Sequence, residues 1–123
     1  MPEPYQEIVM GETFLRGPPE VRHELICERL HTQIALSLVH VNTARQLPPR
    51  SVVQVASGTM VRPDLALVTA ATGKLWLAAE IIRPQDHRID TVMKKAIYEE
   101  LNLPRLWMID PRYDNVEIYH SSP

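Results

Sequence analysis

The sequence predicts an α/β fold with a mixed central β-sheet flanked by two main helices. Three observations lead there. Ile26, Leu30, Ile34 and Leu38 recur every fourth residue, the spacing of one buried face of a long helix. Leu75-Trp76-Leu77-Ala78-Ala79 is apolar at successive positions, as expected of a strand covered on both faces. Further β-like runs lie before, between and after the helical segments, an order that places helices on the faces of a sheet.

Residues 5–9 read as a strand, Met10-Gly11 as a turn and residues 12–15 as its return. Gly17-Pro18-Pro19 breaks the chain and leads into a helix over residues 20–41, where Leu25 and Val41 widen the apolar stripe. Residues 46–50, with Pro48-Pro49, form a loop. A strand over 51–56, a Ser57-Gly58 turn and a second strand over 61–69 follow, with Pro63 near the start of the latter. Ala71-Thr72-Gly73 separates it from a third strand over 74–82. Residues 83–88 form a polar loop, and Asp90 is expected to cap a second helix that turns Met93, Ala96, Ile97 and Leu101 inward. Leu106-Trp107-Met108-Ile109 is a fourth buried strand, and residues 116–119 close the sheet.

The 123 residues fit one domain, expected to span 1–123. No apolar run is long enough for a membrane span, and Met1-Pro2-Glu3-Pro4 lacks the regions of a signal peptide. With Cys27 as the single cysteine, the expected location is the cytoplasm, without membrane association. The net charge of −2 excludes a global basic field, so contact with nucleic acid requires a local cluster.

The loop at Ala71-Thr72-Gly73 suggests a register. If Ala70 pairs with Lys74 across a three-residue loop, Asp64 falls opposite Glu80 on one face, with Cβ atoms roughly 5 Å apart. Two carboxylates so placed repel unless compensated, and a hard divalent cation would compensate them. The same residues allow a plainer reading, with Asp64 as a strand-end residue facing water and Glu80 paired with an arginine.

Arg62-Pro63-Asp64 and Ala79-Glu80-Ile81-Ile82 resemble the PD-(D/E)XK signature of the restriction-endonuclease-like superfamily. Glu80-Ile81-Ile82-Arg83-Pro84, Asp90, Lys94, Tyr98 and Pro104-Arg105-Leu106-Trp107-Met108-Ile109-Asp110-Pro111 resemble, more closely, the Uma-two family within it. Gly11-Glu12 and His23 match that family's turn and helix-start histidine. The resemblance implies a restriction-endonuclease-like core and a metal-dependent endonuclease acting on DNA. It implies Mg²⁺ or Mn²⁺ held by Asp64 and Glu80, helped by Glu12. Lys94 takes the place of the superfamily lysine, since Ile82 stands where that lysine often lies. Met10 replaces a common aspartate, and the stretch between Asp64 and Glu80 is short for the family.

Arg83, His87, Arg88, Lys94 and Lys95 form a basic cluster suited to gripping phosphates, although solvated loop charges would look the same. Lys94 is expected to stabilise transition-state charge, with Lys95 at most a phosphate contact. Tyr98 shares a helix face with Lys94 and is expected to border the site. His23 is a further candidate phosphate contact. His23, Cys27 and His31 lie one turn apart and would suit zinc, but a fourth ligand has no source, and a packed cysteine beside solvated histidines is the plainer reading. Trp76 and Trp107 read as core. The rival to a nuclease is an inactive interaction module that keeps the fold, and a homodimer is expected if both strands of a duplex are cut.

Overall fold

Met10 and Gly11 both adopt positive φ, 52° and 78°, the pattern of a tight type I′ hairpin turn. They join β1 (Tyr5–Val9) to β2 (Glu12–Arg16). This computed structural model describes residues 3–86 and 89–120. After the hairpin come α1 (Val21–Ser37), β3 (Ala44–Gln46), β4 (Val53–Ala56), β5 (Thr59–Val61), β6 (Leu65–Thr69) and β7 (Leu75–Ile81). A short 3₁₀ turn (Pro84–Asp86) and a π-helical turn (Ile89–Met93) lead into α2 (Lys94–Glu100), β8 (Arg105–Asp110) and β9 (Asn115–His120).

The strands form two sheets rather than one. The mixed sheet has the order β3-β6-β7-β8-β9, and β7 and β8 are its parallel pair. A smaller antiparallel sheet has the order β2-β1-β5-β4. The run expected as one strand over 61–69 is divided by Arg62-Pro63-Asp64, where the chain passes from the small sheet to the large one. Pro63 lacks the N–H that a continuous ladder would use, so the break falls there.

One face of the mixed sheet carries Leu65, Leu67, Leu77 and Ala79, with Leu30, Ile34 and Leu38 of the α1 side packed over them. Trp76 and Trp107 join this cluster as half-buried packing residues. On the other face, Ala78, Leu106 and Met108 meet Val9 and Val61 of the small sheet and Ile97 and Tyr98 of α2. The four-residue periodicity of α1 thus marks its covered side, but the helix ends at Ser37 rather than at 41. Val39, Val41 and Thr43 are β-branched and favour extended chain, and β3 then covers the edge of β6.

The second helix is turned relative to expectation. Lys94, Ile97 and Tyr98 are buried, whereas Ala96 and Leu101 are exposed. The helical run already includes Asp90, which lies within the π-helical turn and not ahead of the helix. A π turn winds more slowly than an α turn, so the phase of everything after it shifts. Among the described residues, no helix is long and apolar enough to cross a membrane.

Candidate active site

Beyond the bulge, Ala78 of β7 faces the small sheet and α2, and the alternation carries Glu80 inward on the same side between apolar neighbours. A buried carboxylate needs cations and donors. Lys94 supplies the cation, with Nζ 2.9 Å from Glu80 Oε1 and 3.1 Å from Oε2. The Tyr98 hydroxyl donates to Oε1 at 3.0 Å. Burial first, and then the Glu80 charge, raise the Tyr98 pKa well above the ordinary phenol value. Tyr98 therefore remains a neutral donor inside the site rather than a residue on its border.

Lys94 also meets Glu7, whose Oε2 lies 2.6 Å from Nζ. Glu7 is fully buried; its Oε1 takes Arg16 Nη1 at 2.6 Å, and its Oε2 takes the Arg62 backbone N–H at 2.7 Å. Arg16 Nε continues to Asp86 Oδ2 at 3.0 Å. Charges thus alternate through Asp86, Arg16, Glu7, Lys94 and Glu80, each facing its opposite.

Asp64 stands immediately before β6, at the corner between the sheets. Its Oδ2 accepts the Ile81 backbone N–H at 2.8 Å, filling a place that a ladder carbonyl would otherwise take. Arg50 Nη1 lies 3.3 Å from Oδ1 and links Asp64 to Glu24, which takes Arg50 Nη2 at 2.9 Å. Burial would raise the Asp64 pKa, but His23, the Ile81 N–H and Lys94 reverse this and hold it below the ordinary carboxylate value. His23 Nε2 is 3.4 Å from Asp64 Oδ1, close enough for an ion pair but outside hydrogen-bond geometry.

The Asp64 backbone is gripped by α1. His31 Nε2 lies 2.7 Å from the Asp64 carbonyl oxygen, and Gln46 Nε2 lies 2.9 Å from His31 Nδ1. The amide donates to Nδ1, so the proton on Nε2 goes to the carbonyl. The Cys27 thiol donates to the same oxygen at 3.6 Å. His23, Cys27 and His31 do share a face, but it clamps the Asp64 corner, and His23 is buried rather than solvated. Burial, reinforced by Asp64, pushes the Cys27 pKa up to about 12, so the thiolate that zinc requires is disfavoured.

Leu65 pairs with Ala79, a register whose next step would set Asp64 against Glu80, but Asp64 stands just outside the strand and its carboxylate takes the Ile81 N–H. The loop reaches this register by a different route from the one expected. Thr69 N–H bonds to Lys74 O, closing the loop one residue earlier than an Ala70–Lys74 pair. A bulge between Leu67 and Val68 then restores the register toward Asp64.

Glu12 is exposed at the tip of the β1–β2 hairpin, opposite Val9, and takes no part in this network. The hairpin's contribution comes from Glu7. Its signal in the sequence is period-two alternation, since Tyr5, Glu7 and Val9 share a face. Arg16 and Arg50 were also missed; Arg16 is the diagonal cross-strand neighbour of Glu7, whereas nothing local marks Arg50. Lys95 turns away, 3.7 Å from Glu99 and 4.3 Å from the Tyr119 ring centroid, and does not join Lys94. Arg83 is buried rather than a solvated loop charge; Nη1 donates to Gly17 O at 2.6 Å and Nη2 to the Tyr5 hydroxyl at 2.9 Å. His87 and Arg88 lie outside the described residues.

Two buried carboxylates with hard oxygen donors suit Mg²⁺ or Mn²⁺, which commonly bind through one or two carboxylates and complete their shell with water and phosphate. Among the described residues, no three His, Cys, Asp or Glu side chains form a metal cage. An ion here would have to compete with Lys94 for Glu80 and with Arg50 for Asp64.

A mixed sheet with helices on its faces, and an acidic centre where β6, β7 and α2 meet, define a restriction-endonuclease-like α/β protein. The chain belongs to the Uma2 family, described as "Putative restriction endonuclease", whose profile matches residues 1–122. It is similar to a crystal structure of a "putative nuclease belonging to DUF820" from Anabaena variabilis ATCC 29413. That likeness has a TM-score of 0.82 at 16% identity, covering 100% of this chain and 76% of the other, and it establishes the shared fold. No curated protein matches the chain.

Proposed function

We propose that the protein is an endonuclease that hydrolyses DNA phosphodiester bonds with Mg²⁺ or Mn²⁺ held by Asp64 and Glu80. The observation that carries this reading is the Glu80–Lys94–Tyr98 centre, a buried carboxylate bonded by an ammonium and a neutral phenol beside the Asp64 corner. A bound ion of this kind lowers the pKa of water and offsets charge on a phosphate. The chain's own groups do the remaining work. Ile81 N–H and Arg50 hold the Asp64 carboxylate in place, while α1 fixes its backbone through Cys27 and His31. Glu7 and Glu80 hold the Lys94 ammonium, which would face charge developing on a phosphate oxygen. Tyr98 orients one oxygen of Glu80.

The alternative is a fold that binds without cutting. The observation in its favour is that Lys94 and Arg50 already compensate both carboxylates without an added ion. Incubating supercoiled plasmid with the protein and Mn²⁺ separates the two readings. Nicking that is lost in Asp64→Asn and in Glu80→Gln supports the nuclease. Intact plasmid at high enzyme concentration, from protein shown to be folded, supports the binding module.

A further inference from the structure

Beside the acidic centre lies a cleft of about 110 Å³ between the first turn of α1, the segment after β7 and the turn after β8. Arg22, His23, Arg83 and Arg112 line it, and Ile82, Pro84 and Pro111 supply apolar walls. Three guanidinium groups on one small concavity make an electropositive site, and low-dielectric walls concentrate its field. Glu20 also borders the cleft, so the lining carries one acid against three arginines.

Two features turn this charge into a built site. The first is the end of α1. Its first intrahelical bond runs from Glu24 N–H to Glu20 O, so the N–H groups of Val21, Arg22 and His23 precede the helical ladder. Glu20, at the capping position, makes no side-chain capping bond. The second is His23, 7% exposed, whose ring nitrogens stand 3.6 Å from Glu24 Oε1 and 3.4 Å from Asp64 Oδ1 without hydrogen-bond geometry to either. A buried imidazole with ion-pair contacts but no hydrogen bond is better satisfied when a ligand or water completes it, and this one lines the cleft.

The arginines keep donors for a ligand. Arg112 spends Nε and Nη2 on Asp110, at 3.1 and 3.0 Å. Arg22 Nη2 reaches Pro111 O at 2.9 Å and Asp114 Oδ1 at 3.5 Å. These contacts pre-position both forks and leave other N–H groups, since a guanidinium carries five.

We infer that this cleft is a phosphate-binding subsite, in which Arg22, Arg112, His23 and the α1 N-terminus hold one phosphate group of the nucleic-acid strand. This rests on the nuclease reading for the identity of the strand, but the chemistry of the cleft is independent of it. His23 joins the subsite to the centre, because its Nε2 also stands 3.4 Å from Asp64 Oδ1. A strand gripped here would lie with a neighbouring phosphate next to Asp64. Phosphate contacts of this kind set position without reading sequence.

The test uses the full chain in EDTA, which withholds divalent cations. Inorganic phosphate is titrated calorimetrically into the wild type and into Arg22→Ala/Arg112→Ala, with chloride at matched ionic strength as the control. The wild type should bind phosphate saturably, and the double variant about ten-fold or more weakly, as expected for the loss of charge-assisted hydrogen bonds. Fluorescent oligonucleotides with and without a 5′-phosphate distinguish the source. Tighter binding of the phosphorylated oligonucleotide, lost in the variant, assigns a terminal phosphomonoester. Equal binding of both, weakened alike in the variant, assigns an internal phosphodiester. Wild-type binding of phosphate no stronger than of chloride, or equal binding by the double variant, overturns the subsite. Plasmid nicking with Mn²⁺ is measured in parallel. Failure to nick with phosphate binding intact removes the nuclease reading alone, and nicking by the double variant with an unchanged KM removes the subsite alone.

Discussion

Lys94 offers the most direct test of how the centre is held together. Its side chain is 1% exposed, and its ammonium lies 2.6 Å from Glu7 and 2.9 Å from Glu80. Lys94→Ala removes the cation and leaves two carboxylates in an interior with little solvent. Breaking a buried pair by deleting one partner typically costs about 3–5 kcal/mol. At roughly 4 °C per kcal/mol for a chain of this size, the melting temperature should fall by roughly 12–20 °C. Lys94→Met keeps most of the volume and loses only the charge, so it should fall nearly as far, which separates electrostatics from a cavity. Glu7→Gln/Lys94→Met/Glu80→Gln removes all three charges together and should regain much of the loss, because a neutral well-packed replacement is often tolerated. Urea denaturation followed by circular dichroism measures all four proteins. If Lys94→Met stays within about 1 kcal/mol of wild type, the ammonium is not what stabilises Glu7 and Glu80, and the reasoning fails. The stability effect also bears on activity, since an inactive Lys94→Ala protein is informative only if it is still folded.

Three further outcomes are expected. Cys27, buried and with its pKa pushed up to about 12, should resist iodoacetamide at pH 8 in the native protein and react in urea; rapid native labelling would contradict its place under Asp64. Mn²⁺ at ten times its dissociation constant should stabilise the fold by roughly 1.4 kcal/mol, and Asp64→Asn or Glu80→Gln should abolish that gain in thermal unfolding. An equal gain in both variants would place the ion elsewhere. Lys95→Ala removes an exposed contact with Glu99 and Tyr119, so stability should change by less than about 0.5 kcal/mol and nicking should persist; loss of nicking would return Lys95 to the site.

Much of the local structure was legible because it is periodic. The stripe of Leu30, Ile34 and Leu38, the apolar run of β7 and the turn at Met10-Gly11 are written within a few neighbouring residues, and each appears where its pattern places it. The β6–β7 register that runs toward Asp64 and Glu80 was legible for a weaker reason. The loop closes one residue away from the expected pair, and a bulge then returns the strands to the expected register. No sequence rule foretells that bulge; it lets the apolar faces of β6 and β7 match despite the loop.

The charges were a different matter. The family resemblance put Lys94 with Glu80, and helical spacing put Tyr98 on the same face as Lys94. The resemblance also pointed to Glu12 rather than Glu7, since Glu12 matched a family turn while Glu7 looked like an ordinary strand residue. Only the packing of the small sheet against the mixed sheet brings Glu7, paired with Arg16 on its own hairpin, onto Lys94. Likewise, only the corner at Arg62-Pro63-Asp64 lets Arg50, Cys27 and His31 converge on Asp64. Local hydrogen bonding and side-chain periodicity set the elements, so the sequence alone determined them. Which acid meets which cation depends on contacts between segments far apart in the chain, and those were fixed when burial forced each charge to find its opposite.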